Sequence, residues 1–172
     1  MAKGSGGTRT LTPHGRRWSK QKSKADAMAG SGRYSEVSFN STNGAIFAIE
    51  KSISRHKPEE IEAARFIVKS GRDVTLINGA GSAITGDGRI HIDLYEQRTP
   101  TGGDAKNFRS ALGHARDKKA AVAVVYMKYA SHNRTTVEEG IKEFENSSKY
   151  RFKRIIVVAK DGKVYSHYHN KK

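Results

Sequence analysis

The sequence contains no cysteine, which excludes disulfide bonds, a thiol nucleophile and any zinc site that depends on thiolate ligands. Apolar residues are also scarce: they make up 35% of the 172 residues, and the mean hydropathy is -0.71. We therefore expect part of the chain to lie outside the core. No run approaches the roughly 18 apolar residues that a membrane span requires, and the N-terminus lacks the apolar segment of a secretory signal peptide.

Acidic residues are few beside basic ones. The chain has 17 Asp and Glu against 32 Lys and Arg, which gives a net charge of +15 and a pI near 10.1. A field of this sign and size attracts phosphate polyanions and releases their counterions, so we expect nucleic acid as the partner. An anionic membrane is the rival partner, but the sequence shows no basic amphipathic helix with a bulky apolar face.

Residues 1–33 carry a large share of this charge and few apolar side chains. They contain eight Lys and Arg, one Asp and a single aromatic residue, Trp18, and their net charge is +7. Such a segment buries too little surface to offset the entropy of ordering, so we predict a disordered basic arm, with a short helix over residues 18–29 on binding. Residues 34–172, at +8, form the predicted domain. A solubilising or targeting role for the arm is the alternative.

The cations that we expect to contact phosphate groups flank Trp18 in the arm, with one further residue in the domain. Lysine, arginine and a stacking aromatic side chain together suit sequence-independent binding of nucleic acid. The predicted contact residues are Arg16, Arg17, Lys20, Lys22, Lys24 and Arg109.

Residues 34–172 show the alternation of helices and strands that is typical of an α/β domain. The clearest helix lies over residues 58–69: Pro58 opens it, glutamates fill its first turns and Gly71 follows its end. The run "AAVAVVYM" predicts a central strand covered on both faces, and Asp161-Gly162 predicts a hairpin turn near the C-terminus. We therefore predict a mixed β-sheet flanked by helices.

The stretch "GDGRIHIDLYEQRTPTGGD" places three acids near one predicted strand. We predict that this strand runs over residues 89–98, with Glu96 and Arg98 on one face and Asp93 on the other. Asp87 precedes the strand and can reach the Glu96 side. Two such carboxylates beside a cation suit a hard divalent metal ion and phosphodiester hydrolysis. The alternative is a solvated strand with ordinary charges.

Histidines near the C-terminus offer a second candidate site. Tyr165, His167 and His169 share one face of the final predicted strand. Two imidazoles placed in this way can bind a transition metal, or act as general acid and base in a metal-free ribonuclease. The alternative is a half-exposed terminal strand. His114 and His132 have no partner pattern, so we expect them to be surface groups.

Five stretches, in this order along the chain, resemble the C-terminal tRNA-nuclease toxin domains of contact-dependent growth inhibition (CdiA-type) proteins, which have relatives in phages and mobile elements. The stretches are "NGAIFAIEKSISRH", "EEIEAARFIVKSGRDVTLI", "EQRTPTG", "NFRSALGHARDKKAAVAVVYM" and "FKRIIVVAKDGKVYSHY". The resemblance covers about residues 39–168, and the order and spacing of the pieces carry it. The layout also resembles the PD-(D/E)XK nuclease core.

The resemblance implies a restriction-endonuclease-like fold, with a barnase-, EndoU- or colicin-like α+β fold as the alternative. It implies a nuclease that cleaves RNA, above all tRNA. In that centre Asp87 and Glu96 hold a Mg²⁺ or Mn²⁺ ion, Glu60 is a supporting acid, and Arg98 stands where these families have lysine. Arg98 would then stabilise charge on the phosphate.

Three functions stay open at this point. A guanidinium such as that of Arg98 holds charge but does not readily exchange a proton. The chain is therefore either a toxin-type nuclease or a catalytically lapsed nucleic-acid-binding protein packaged in a phage particle. The third function is that of a stand-alone protein that binds a partner and whose charge serves solubility alone. Similar tRNases work without metal, which leaves His167 and His169 as alternative catalytic residues. Expected partners are nucleic acid, RNA favoured over DNA, and an immunity protein or phage structural protein, in the host cytoplasm or the virion.

Overall fold

The computed structural model describes residues 15–51, 56–78 and 86–168. His169 and residues 1–14 of the predicted arm lie outside these ranges. Within them the helices are α1 (Arg16–Gly30), α2 (Pro58–Lys69), α3 (Ala105–Asp117) and α4 (Arg134–Ser147). The strands are β1 (Tyr34–Phe39), β2 (Ile46–Glu50), β3 (Val74–Leu76), β4 (Gly88–Ile90), β5 (Asp93–Arg98), β6 (Val122–Tyr126), β7 (Arg154–Val158) and β8 (Val164–Tyr168).

The eight strands form one mixed sheet in which the spatial order equals the chain order, from β1 to β8. The pairs β2–β3, β5–β6 and β6–β7 are parallel, and a helix connects the two strands of each pair. The other neighbouring strands are antiparallel. Parallel pairs joined by helices confirm the predicted α/β class, a mixed sheet flanked by helices, against the α+β alternative.

Helices cover both faces of the sheet. Ala63 and Ile67 of α2 pack on one face, whereas Phe108 of α3 packs with α4 on the other. Side chains alternate along β6, so Val124 contacts the α2 side and Val125 contacts the α3 and α4 side. Every residue of β6 is buried, as expected of a central strand. In the described part of the chain, no helix is long and apolar enough to cross a membrane.

Two predicted element boundaries are confirmed. Pro58 is the first residue of α2, acidic residues occupy its first turn, where they favour the positive end of the helix dipole, and the helix ends shortly before Gly71. Gly71 has a φ of +98°, which favours glycine after a helix. The predicted hairpin turn also lies between β7 and β8, where Gly162 has a φ of +84°.

Residues 16–30 differ from the predicted disordered arm, because they form α1 and pack against β1. The Trp18 ring meets Phe39 edge-on, with 4.9 Å between the ring centroids. The Gln21 side chain donates to both carboxylate oxygens of Asp73 at 3.0 Å. These contacts with distant parts of the chain offset the entropy of ordering, which composition alone does not reveal. The division of the chain at residue 33 stays a prediction.

The single strand predicted over residues 89–98 is two strands. A tight turn at His91 and Ile92 separates β4 from β5, and the two strands pair antiparallel. His91 adopts a φ of +55°, and Ile92 is 79% exposed at the tip of the turn. The hairpin has a consequence for the candidate site, because it brings Asp87, just before β4, beside the carboxyl end of β5.

Candidate active site

A cavity of about 350 Å³ opens where the carboxyl end of β5 meets the first turn of α2, and we call it the acidic cleft. Glu60 comes from α2 and Asp87 precedes β4. Glu96 and Arg98 lie on β5. All four predicted catalytic residues therefore converge, although their roles stay predictions. The lining of the cleft is Lys57, Glu59, Glu60, Asp87, Glu96, Gln97, Arg98, Thr99 and Tyr129.

Asp87 is fixed by the β4–β5 hairpin. Its backbone N–H donates to the Tyr95 carbonyl at 3.0 Å, and its Oδ2 accepts the backbone N–H of Gln97 at 2.7 Å. Burial raises the pKa of Asp87, the hydrogen bond from Gln97 opposes this rise, and the nearby charge of Glu60 adds to it. Asp87 is thus a positioned carboxylate whose negative charge lacks full compensation.

Glu96 is a buried carboxylate beside Asp87. Its side chain is 6% exposed, which is rare for glutamate. The pKa of Glu96 is raised from 4.5 to about 7, chiefly by burial and next by the charge of Asp87, whereas Arg98 opposes the rise. The Arg98 guanidinium lies 3.5 Å from Glu96 Oε1. Because the two carboxylates disfavour each other's charge, the cleft favours a proton or a cation near neutral pH.

Glu60 is held at the N-terminus of α2. Its Oε2 accepts the backbone N–H of Lys57 at 3.1 Å and lies 3.1 Å from Nδ1 of His56. The His56 side chain is 12% exposed, and its Nε2 has no hydrogen-bond partner among the residues that the structure describes. The sequence alone does not single out His56, since a histidine just before a helix carries no motif signal.

Arg98 reaches from β5 towards α3. One of its terminal nitrogens lies 3.2 Å from Nδ1 of His114. A guanidinium can only donate, so Nδ1 of His114 is the acceptor and carries no proton in this contact. His114 is exposed, as expected of a surface group, but it has a partner in Arg98. Held between Glu96 and His114, Arg98 is a positioned cation at the edge of the cleft.

Three buried polar atoms of β5 next to the cleft lack hydrogen-bond partners within the described residues: the Tyr95 hydroxyl, Gln97 Oε1 and Arg98 Nε. Burial raises the pKa of Tyr95 well above its usual value, and the cleft carboxylates, Asp87 foremost, raise it further. The hydroxyl therefore keeps its proton at neutral pH. Orphaned donors and an orphaned acceptor beside carboxylates suit a site that binds water or an ion with its water ligands.

The ligand atoms that the acidic cleft offers are of the type that Mg²⁺ and Mn²⁺ prefer. Asp87 and Glu96 offer carboxylate oxygens and Gln97 offers an unpartnered amide oxygen, and hard divalent cations prefer such ligands. Over residues 15–51, 56–78 and 86–168, no three His, Cys, Asp or Glu side chains group closely enough to hold a metal ion by themselves. The protein would therefore supply two carboxylates, with water and a phosphate oxygen as the remaining ligands.

The predicted phosphate-contacting cations lie outside the acidic cleft. Those on α1 are Arg16, Arg17, Lys20, Lys22 and Lys24. Two of them form ion pairs: Lys22 binds Asp26 within the helix, and Lys24 lies 3.3 Å from Asp73. Arg109 is exposed on α3, on the side of the sheet opposite α2. The structure therefore does not group Arg109 with the α1 cations.

His167 lies away from the acidic cleft, on β8 at the edge of the sheet, three strands from β5. Burial lowers the pKa of His167, and Glu138 on α4 partly offsets this effect. Its predicted partner His169 lies outside the described residues. His132 is not isolated as expected, because its ring centroid is 6.0 Å from that of Tyr165.

Comparisons with known proteins bear on the fold. No protein-family model matches the chain, and no curated protein matches it. A solved structure with a similar fold is a chain of the CdiA-CT/CdiI toxin and immunity complex from Burkholderia pseudomallei, at a TM-score of 0.57 and 16% sequence identity. The match covers 73% of this chain and 100% of that chain. At this identity the likeness is one of fold: the chain shares the mixed α/β architecture of that protein.

Proposed function

We propose that the protein is a metal-dependent endonuclease that cleaves RNA, with tRNA as its substrate class. The observation that carries the proposal is the convergence of the three predicted acids Glu60, Asp87 and Glu96 with Arg98 in the acidic cleft. The chain as a whole has a net charge of +15, which attracts a polyanion. A cluster of buried acids within such a chain is what cation-assisted phosphodiester hydrolysis requires.

Asp87 and Glu96 are the proposed metal ligands. A bound Mg²⁺ or Mn²⁺ ion would polarise the scissile phosphate and lower the pKa of an attacking water. The raised pKa values of both carboxylates support this role, because burial first and neighbouring carboxylates second disfavour their ionised forms, and a bound cation would favour those forms. This arrangement of acids supports a PD-(D/E)XK-type centre.

Arg98 and Glu60 have supporting roles in the proposal. The Arg98 guanidinium is held by Glu96 and His114, so it is positioned before substrate binds and would stabilise negative charge that develops on the phosphate. It acts as a charge and not as a proton carrier. Glu60, fixed through His56 and the Lys57 amide, keeps a third negative charge next to Asp87.

A toxin domain is the proposed biological setting. The similar solved chain belongs to a toxin and immunity complex, which supports this setting and an immunity protein as the partner. The preference for tRNA, the origin in a phage or mobile element, and the host cytoplasm or virion as the location rest on the sequence resemblance over about residues 39–168.

The test is cleavage of tRNA by the purified full chain in the presence of Mg²⁺ or Mn²⁺. The wild type should release discrete fragments, and Glu96→Ala should abolish their release. Glu139→Ala is the matched control, because Glu139 is an exposed carboxylate on α4, and this variant should cut like the wild type. Cleavage by Glu96→Ala at the wild-type rate would overturn the assignment.

A second candidate function, binding of nucleic acid without cleavage, is favoured by one observation. Arg98 occupies the position where the resembling nucleases have lysine, and its contacts with Glu96 and His114 make it a fixed cation. Under this function no metal ion supports cleavage, affinity falls steeply with salt, and Glu96→Ala leaves affinity unchanged. Deletion of residues 1–33 should then weaken binding strongly, in keeping with a protein packaged in a phage particle.

A further inference from the structure

A second groove runs along α3, on the opposite side of Arg98 from the acidic cleft. Its volume is about 470 Å³, and it lies between α3 and the last turn of α4. Residues of α3 three and four positions apart form one wall, as expected of one helix face. The lining is Lys106, Arg109, Ser110, Gly113, His114, Arg116, Asp117, Phe144 and Ser147. We call it the α3 groove.

Lys106 and Arg109 are the available cations of the α3 groove. Both are exposed, and neither forms an ion pair with any other residue that the structure describes. Arg116 is instead bound to Asp117, with 2.8 Å between the guanidinium nitrogen and Oδ1. The groove thus carries a net positive charge, and Ser110 adds a hydroxyl, a combination that is typical of phosphate contacts.

Two glycines shape the α3 groove. Gly140 lets α4 approach α3 closely, because a Cβ at this position would lie 2.6 Å from the Phe108 Cβ. Gly113 lines the groove, and nothing lies within 4 Å of the place where its Cβ would be, so open space adjoins the helix at this position. Lys106 and Arg116 are about 15 Å apart along the helix axis. Phosphates along one strand of a nucleic-acid helix are about 3.4 Å apart along its axis, so this length spans about four of them.

The α3 groove and the acidic cleft meet at one residue pair. His114 lines the groove, Arg98 lines the cleft, and 3.2 Å separates Nδ1 of His114 from the Arg98 guanidinium. Lys118, which follows α3, also acts electrostatically on Glu96 and lowers its pKa. Positive charge therefore continues from the groove to the buried carboxylates of the cleft.

We propose that the α3 groove binds the phosphodiester backbone of the substrate strand through Lys106 and Arg109 and directs the strand past Arg98 into the acidic cleft. This inference rests on the proposed nuclease function. Contacts with phosphate position a strand without reading its sequence, so the groove contributes affinity and register. An acidic protein is the other class of occupant that a basic groove could take.

The experiment measures the affinity of fluorescein-labelled tRNA for the full chain by fluorescence anisotropy over a series of salt concentrations. Every protein carries Glu96→Gln, so that the probe stays intact. Loss of one phosphate contact, in Lys106→Gln or Arg109→Gln, should make the negative slope of log affinity against log salt less steep by about 0.7. At about 0.15 M salt this corresponds to roughly fourfold weaker binding for each variant and about 14-fold for the double variant.

The matched control removes two exposed lysines elsewhere: Lys69→Gln at the end of α2 with Lys160→Gln in the turn between β7 and β8. This control should keep the slope and the affinity. Unchanged affinity in the Lys106→Gln, Arg109→Gln double variant would overturn the inference and leave the groove to an acidic protein. An equal loss in the control would overturn it as well.

Cleavage by the wild type, scored separately, distinguishes this inference from the proposed function on which it rests. If the wild type cuts tRNA while the groove variants bind like their parent, only the groove assignment is overturned. If the groove variants lose affinity while the wild type cuts nothing with any divalent metal ion, the nuclease proposal is overturned and the groove stands as a binding site.

Discussion

Glu96 is a carboxylate whose charge the fold disfavours, so Glu96→Gln should stabilise the protein at alkaline pH while it abolishes cleavage. Folding raises the pKa of Glu96 from 4.5 to about 7, because burial and Asp87 act against its ionised form. The folded state therefore binds this proton more tightly than the unfolded chain does. By linkage, the wild type loses stability as the pH rises from about 4.5 to about 7, and the whole destabilisation is present above that range.

The size of the effect follows from the two pKa values. They differ by about 2.5, and each unit corresponds to about 1.4 kcal/mol. Ionisation of Glu96 thus destabilises the fold by about 3 kcal/mol at pH 8 and by about 1 kcal/mol at pH 5. Glutamine has nearly the same shape and does not ionise. The free energy of unfolding of Glu96→Gln, relative to the wild type, should therefore increase by about 2 kcal/mol between pH 5 and pH 8.

Thermal unfolding followed by circular dichroism at pH 5 and pH 8 measures this difference. For a chain of 172 residues, about 2 kcal/mol corresponds to a change in Tm of roughly 4–8 °C. Glu139→Gln is the control, since Glu139 is exposed, and its Tm relative to the wild type should be the same at both pH values. A pH-independent difference for Glu96→Gln, or a variant less stable than the wild type at pH 8, would refute the placement of a strained charge beside Asp87.

Three further outcomes are expected. Asp73→Ala should destabilise the protein by about 1–3 kcal/mol and make α1 more susceptible to trypsin, because Asp73 accepts the side-chain hydrogen bonds that hold α1. Unchanged limited proteolysis would contradict this role. Gly140→Ala should lower the free energy of unfolding, measured in urea, by about 1–3 kcal/mol, because the added Cβ would overlap with Phe108. Gly113→Ala should not lower it, and equal effects of the two substitutions would be inconsistent with this packing. Arg98→Gln should slow tRNA cleavage by about 100-fold, and Arg98→Lys should slow it less, which single-turnover rates can measure. Equal rates for both variants and the wild type would exclude a role of Arg98 in stabilising charge on the phosphate.

Hydrophobic periodicity and turn residues predicted α2, β6 and the β7–β8 hairpin, because each of these elements buries its own apolar face or turns at glycine. The same reasoning predicted a short helix over residues 18–29 only on binding, and it did not predict that contacts within the fold hold α1. Its stabilising contacts are Trp18 on Phe39 and Gln21 on Asp73, and the second pair is 52 residues apart in the chain. The break between β4 and β5 was also missed, since the turn at His91 contains no glycine or proline.

The acidic cleft could be predicted in part. The order and spacing of the family resemblance singled out four of its charged residues, and the fold brings these four together: Glu60, Asp87, Glu96 and Arg98. His56 and His114 could not be found in this way. Their contacts with Glu60 and Arg98 depend on how a helix terminus and a helix face lie against the sheet, and no sequence motif records either arrangement.

The rate of tRNA cleavage by Asp87→Asn relative to the wild type, in the presence of Mn²⁺, tests the metal-dependent centre most directly. Asparagine keeps the size of Asp87 and can still accept the Gln97 N–H, so the hairpin should stay folded while the metal-binding charge is lost. The account predicts cleavage by the wild type that EDTA abolishes, and a loss of about 100-fold or more in the variant. Cleavage by Asp87→Asn at the wild-type rate, or wild-type cleavage that EDTA does not affect, would contradict it.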